Sequence, residues 1–181
     1  MPDIAHAKTS PRIAACAVLA ALLLAGCGAK PEQFAPACPE LKLLRDAADL
    51  TRMRGQGSDL TDLVVNARVV AVPGSCSEGS KGTVKAMIQV TFEATRGPAA
   101  PSRVIELPYL VTVLRGDRII QQKPYVLPVE FAANVDRARF TGEEIDMVFP
   151  VSPEIPASDY RIYVSFRLTA DELAFNRKGK R

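Results

Sequence analysis

The chain of 181 residues contains one histidine, His6, and this scarcity limits the chemistry open to it. Serine triads, cysteine–histidine pairs and histidine-based zinc sites all require an imidazole. Each of these mechanisms would therefore depend on a single side chain near the N terminus.

A long hydrophobic run is also missing at the N terminus. The uncharged apolar segment spans residues 13–25, which is 13 residues, whereas a membrane-spanning helix needs about 20. Lys8 and Arg12 precede this segment, and the small residue Gly26 follows it. A basic head, a short apolar stretch and small residues at the end are typical of a secretory signal peptide. The pattern favours a cleaved signal over residues 1–26, which would remove His6, rather than a transmembrane anchor.

The end of this segment, Leu24-Ala25-Gly26-Cys27, resembles a bacterial lipobox. The resemblance implies that Cys27 receives a diacylglycerol, that the signal is cut before it, and that the new amino group can take a further acyl chain such as palmitate. Residues 27–37 would then be a lipidated tether. Gly28 stands where an Asp would favour the inner membrane, so the resemblance implies the periplasmic face of the outer membrane of a Gram-negative bacterium. The alternative is an ordinary cleaved signal with an incidental cysteine.

Neither positive nor negative charge dominates the rest of the chain. Without residues 1–26 it carries 21 basic and 19 acidic side chains, too small an excess to indicate a nucleic-acid partner. Cys38 and Cys76 remain after the signal and the lipidated cysteine are set aside, and two cysteines in an oxidising compartment favour one disulfide. A metal pair would need further ligands. We expect no catalytic residue, no metal site and no cofactor.

The body of the chain alternates between apolar and polar residues in two segments, 84–94 and 160–168. This period of two predicts strands with one solvated face. Residues 39–53 fit a short helix or an edge strand equally well. Gly116-Asp117 predicts a tight hairpin turn, and 169–176 predicts a capped helical turn before a basic tail, 177–181. Less regular strands are predicted at 62–72, 104–114, 118–126, 128–132 and 143–149.

About seven strands at this spacing predict a mainly β protein with a single domain over 38–176. The expected architecture is an immunoglobulin-like or fibronectin-like β-sandwich, with a small β-barrel as the alternative.

Three further segments contain motifs that resemble functional sites. Residues 74–81 lack the Gly-Lys-Ser/Thr spacing of a phosphate loop and are interpreted as a hairpin loop held by Cys76. Glu143, Glu144 and Asp146 form a carboxylate cluster that could do acid–base work, but they are better interpreted as a solvated turn entering a strand. The basic tail is interpreted as a solvated terminus, with contact to anionic lipid as the alternative.

Several segments of the body are similar to uncharacterised envelope lipoproteins of alphaproteobacteria: ACPELKLL with DAADLT, the pair Cys38 and Cys76, TRGPAAPSRVIELPYLVTV and DELAFNR. This resemblance implies no activity. The expected function is a lipid-anchored, non-enzymatic binding or structural module whose partner is another envelope protein. The alternatives are a carrier of a small apolar ligand or lipid, and a carboxylate-based envelope hydrolase.

Overall fold

A computed structural model describes residues 37–55 and 57–179. The prediction of a mainly β protein is confirmed. These residues form one α-helix, α1 (Ala170–Lys178), and nine strands rather than about seven. The strands are β1 (Glu40–Leu43), β2 (Asp49–Met53), β3 (Leu63–Ala71), β4 (Gly74–Glu78), β5 (Thr83–Arg96), β6 (Val104–Arg115), β7 (Arg118–Glu130), β8 (Arg137–Pro150) and β9 (Tyr160–Phe166).

Two sheets pack together as a sandwich. The four-stranded sheet has the order β1-β9-β6-β7. In the five-stranded sheet, β2 pairs with β3, and β5 pairs with β3 and β4 along one edge and with β8 along the other. The described strands do not close on themselves, so the alternative of a small barrel is wrong.

Residues 39–53, for which the sequence fits a helix or an edge strand, contain two strands. A 3-10 turn, Arg45–Ala47, lies between them. β1 pairs in parallel with β9 of the four-stranded sheet, and β2 pairs antiparallel with β3 of the five-stranded sheet. The chain therefore changes sheets within a few residues of its first strand.

The core includes side chains that alternate along β5, β6 and β9. The period of two predicted this for β5 and β9, but Ser165 of β9, which it placed on the solvated face, is buried. Phe92 of β5 is fully buried. Its ring centroid lies 5.1 Å from that of Tyr109 and 5.3 Å from that of Phe166, both on the opposite sheet. Aromatic contacts of this kind add to the area that each ring buries. The space between the sheets is filled by side chains at this level.

Three strand predictions need correction. The strands predicted at 118–126 and 128–132 are one strand, β7, which ends at Glu130. Pro124 and Pro128 do not interrupt it, because β7 is an edge strand, where a missing N–H is tolerated. The strand predicted at 143–149 begins at Arg137, since its first residues place arginines on a solvated face. Residues 74–78 of the predicted hairpin loop 74–81 form strand β4, which pairs with β5.

The predicted turn between β6 and β7 is confirmed. Arg115 pairs with Arg118, and Gly116 between them has a φ of 58°. Left-handed backbone of this kind favours glycine because it has no Cβ.

Cys38 and Cys76 form a disulfide, with their Cα atoms 5.9 Å apart. Cys38 leads into β1 on the edge of one sheet, and Cys76 lies in β4 on the other sheet. The bond therefore joins the two layers of the sandwich covalently.

The predicted capped turn near the C terminus is also confirmed. Thr169 accepts a hydrogen bond from Glu172 N at 3.2 Å, and Glu172 Oε2 accepts one from Thr169 N at 2.8 Å. This reciprocal capping box begins α1. Asn176 fixes the helix to the body by donating to the carbonyl oxygens of Asp46 and Asp49, at 2.9 and 2.8 Å.

Candidate functional site

The candidate site is a cleft between β7 and β8. Each of these strands has a β partner on one side only among the described residues, so each is a free edge of its sheet. The cleft has a volume of about 180 Å³. It is lined by Tyr109, by residues 125–128 of β7 and by residues 143–145 of β8. We refer to it below as the edge cleft.

A β-bulge in β8 shapes one wall of the edge cleft. Thr141 pairs with Thr91 and Glu144 pairs with Gln89, so two residues, Gly142 and Glu143, stand opposite Val90. The Gln89 amide donates to the Gly142 carbonyl at 3.1 Å and holds the bulge in place. A bulge of this type bends the strand and redirects the side chains at that point.

Gly142 lets a tyrosine hydroxyl approach the backbone closely. A Cβ at this position would lie 3.3 Å from the Oη atom of Tyr109. Contacts this short require one of the two groups to move. Because Gly142 has no side chain, the Tyr109 hydroxyl has room to lie in the edge cleft.

Tyr109 is 3% exposed, yet its hydroxyl forms no hydrogen bond with any residue that the structure describes. Its ring is held between Phe92, in an edge contact, and Tyr125, stacked with centroids 5.2 Å apart. Burial raises the pKa of Tyr109, and Tyr125 and Glu143 raise it further. The phenol is therefore neutral at neutral pH and can both donate and accept.

Negative charges line the edge cleft, and a positive charge lies over one of its lining rings. Glu143 and Glu144 are exposed on the β8 side. On the β7 side, the Lys123 ammonium lies 5.1 Å from the centroid of the Tyr125 ring, a distance at which cations are attracted to aromatic faces. The cleft thus combines apolar walls with several hydrogen-bond acceptors.

The predicted carboxylate cluster does not form a turn that enters a strand. Glu143, Glu144 and Asp146 lie within β8, and all three are exposed. Glu143 sits in the bulge, whereas Asp146 is paired across from Met87 further along the strand. The interpretation as a turn was wrong because Gly142 marks a bulge within a strand. A glycine beside acidic residues occurs in turns and in bulges, so the sequence alone does not distinguish them.

A second cluster of charges lies on β3, β5 and β8, where three arginines surround one carboxylate. The Glu93 oxygens lie 2.6 Å from Arg137, 3.7 Å from Arg139 and 3.9 Å from Arg68. The hydrogen bond from Arg137 and the charges of the other guanidinium groups hold the pKa of Glu93 below its usual value. The alternation along 84–94 predicted that Glu93 faces solvent, but only the register of three strands reveals its partners.

The remaining predicted sites fall partly outside the described residues. Cys27 with its lipobox, the tether up to residue 36, and Lys180 and Arg181 of the basic tail lie outside them. Arg177, the first residue of that tail, forms an ion pair with Asp46 at 3.2 Å. Within 37–55 and 57–179, no helix is long and apolar enough to cross a membrane. Over the same ranges, no three His, Cys, Asp or Glu side chains are grouped to hold a metal ion.

Comparison of the chain with protein-family models, with curated proteins and with solved structures found no match.

Proposed function

We propose that this protein is a lipid-anchored lipoprotein of the Gram-negative cell envelope, held at the periplasmic face of the outer membrane through Cys27. It acts as a non-enzymatic binding or structural module, an adaptor or accessory subunit of an envelope assembly. The observation that carries the proposal is the lipobox shortly before a β-sandwich whose two sheets are joined by Cys38 and Cys76. Structural disulfides form and persist mainly in oxidising compartments, which supports an exported protein.

The finer architecture that we propose is an immunoglobulin-like or fibronectin-like sandwich. The order of crossings supports it: β5 leads to the other sheet, β6 and β7 form a hairpin, and β8 returns to pair with β5. Such sandwiches commonly serve as binding modules because their edges and loops are open to variation.

Two features of the described residues favour a protein partner. β7 presents a row of exposed side chains from Arg118 to Pro124, and β8 presents a second free edge beside it. Free edges can accept contacts from another chain. The prolines at 124 and 128 reduce the number of backbone donors along β7, which limits indiscriminate strand pairing.

The alternative of a carrier for an apolar ligand rests on a different cleft. A space of about 250 Å³ beside the disulfide is lined mainly by apolar side chains, including Leu41, Ile88 and Ile162. It is smaller than the clefts of about 300–1,000 Å³ that bind most small ligands. Aromatic rings fill the core between the sheets, so we favour the binding module.

The test is cross-linking in living cells followed by mass spectrometry of the captured proteins. The wild-type chain is compared with a Cys27→Ala variant whose signal is replaced by an ordinary cleavable one, so that export is retained. We expect the wild type to fractionate with the outer membrane and to capture a defined envelope protein, and the variant to lose both. Capture of lipid and bulk porins alone would contradict the adaptor role. Membrane association that does not depend on Cys27 would contradict the anchor.

A further inference from the structure

The chemistry of the edge cleft fits a ligand that only donates hydrogen bonds. The polar side chains that line it are the phenols of Tyr109 and Tyr125 and the carboxylates of Glu143 and Glu144. A carboxylate only accepts, and a phenol can accept as well as donate. Lysine and arginine side chains carry only donors and a positive charge, so they match this set in both respects.

The Tyr109 hydroxyl is open to a ligand in the cleft. Tyr109 is 97% buried, and its hydroxyl has no hydrogen-bond partner among the described residues. This hydroxyl is not one of the fully buried polar atoms that lack a partner, so it keeps contact with solvent through the cleft. A ligand that enters the cleft can therefore take the place of water at this hydroxyl.

The walls and size of the edge cleft restrict the ligand further. Tyr125, Leu127 and Ile145 supply apolar surface, along which the methylene stem of a long basic side chain can pack while its charge stays near water. A volume of about 180 Å³ suits a single side chain better than a whole small-molecule cofactor.

Lys123 provides a test of whether the ligand is a cation or an anion. Its ammonium group already lies over the Tyr125 ring, which shows that a cation is accommodated on this aromatic surface. The same charge repels a second cation. Removing it must strengthen the binding of a cationic ligand and weaken the binding of an anionic one.

We propose that the edge cleft receives one lysine or arginine side chain of the partner protein, with its cation between Glu143 and the Tyr109 hydroxyl. This inference rests on the proposed function, because it identifies the chemistry of the partner of that module. It makes β8 the strand that recognises the partner and the bulge at Gly142 the feature that positions the two acceptors.

The experiment uses the full-length protein in detergent micelles and four probes: the Nα-acetyl methylamides of lysine, arginine, norleucine and glutamate. Binding is followed by NMR through the Gly142 amide and the Tyr125 ring. We expect both basic probes to shift these signals with a dissociation constant on the order of 1 mM, as is typical of ligands this small. Norleucine and glutamate should bind at least about tenfold more weakly, because they lack the charge-assisted hydrogen bonds.

Four variants identify the groups responsible. Glu143→Gln and Tyr109→Phe should each weaken binding of the lysine probe by roughly fivefold or more, since the first removes the negative charge and the second removes the hydroxyl. Lys123→Met should tighten it. Asp146→Asn is the matched control on the same strand and should change nothing, because Asp146 does not line the cleft. Amide spectra of each variant verify that the fold is kept.

The proposal is overturned if neither basic probe shifts the Gly142 signal up to about 50 mM, well above the affinity expected for this size. Equal binding of norleucine, or weaker lysine binding in Lys123→Met, would also overturn it. These results would leave the anchored module untouched, because that proposal is tested by fractionation and cross-linking with and without Cys27.

Discussion

Arg52 and Glu172 connect the C-terminal helix to the edge of the five-stranded sheet. The Nε atom of Arg52 on β2 lies 2.9 Å from Oε1 of Glu172, whose other oxygen accepts from the backbone N–H of Thr169. The carboxylate of Glu172 therefore caps the N terminus of α1 and also links this helix to β2. Glu172 is 9% exposed, unlike most surface ion-pair partners.

Replacement of Glu172 by alanine should lower the free energy of unfolding by about 1–3 kcal/mol. The change removes one half of the capping box and leaves the partly buried Arg52 without its carboxylate. Urea unfolding followed by circular dichroism measures the loss. Asp171→Ala is the control, because that exposed carboxylate only interacts with the helix dipole, and its removal should cost about 0.5 kcal/mol. Equal effects of the two substitutions would refute a special role of Glu172.

Loss of the Cys38–Cys76 disulfide should lower stability by about 4 kcal/mol in the chain-entropy account, given the sequence separation of 38 residues. Urea unfolding with and without a reductant measures the difference. The double variant Cys38→Ser/Cys76→Ser supplies the control, since reductant should not affect it. If the stability of the wild-type protein is the same with and without reductant, the bond contributes nothing to it.

Gly97→Ala should destabilise the protein by about 2–3 kcal/mol. Gly97 is buried at the crossing from β5 to β6, and an added Cβ would overlap the backbone carbonyl of Leu63, which cannot move as a side chain can. Thermal unfolding gives the comparison with Gly179→Ala. At Gly179 the nearest atoms are 3.9 Å away or more and φ is −73°, so alanine should be nearly neutral.

Glu93→Gln should reduce stability at neutral pH and change little in acid. The folded-state pKa of Glu93 is below its unfolded value because of Arg137 and its neighbours. Its contribution is therefore fully present above the unfolded-state pKa and is lost as pH falls through the folded-state pKa. Urea midpoints of wild type and variant should differ at pH 7 and converge in acid, below the usual range of a glutamate pKa. A gap that is constant with pH would exclude the ion-pair explanation.

Much of the sandwich could be predicted from local patterns. The alternation at 84–94 and 160–168 reports which face of a strand is buried, because the side-chain period of a strand is two. Gly116 and the pair Thr169 and Glu172 are equally local signals. Each of these features depends on residues that are near one another in the sequence.

The partners of the strands could not be predicted in this way. Nothing in residues 40–53 states that β1 joins β9 in parallel and that β2 joins β3, because these pairings connect distant parts of the chain. The edge cleft was missed for the same reason. Tyr109 reads as one more buried residue of a strand until the register places it beside the bulge at Gly142.

The disulfide also determines how the domain carries mechanical tension. A pull on the residues before Cys38 would, without the bond, load the few pairings of β1 with β9 in shear. With the bond, part of the force passes through Cys76 into β4 and then into β5, which is paired along both of its edges. The redox state of one cysteine pair thus decides whether a pulled molecule gives way at its first strand or transmits the force to the centre of a sheet.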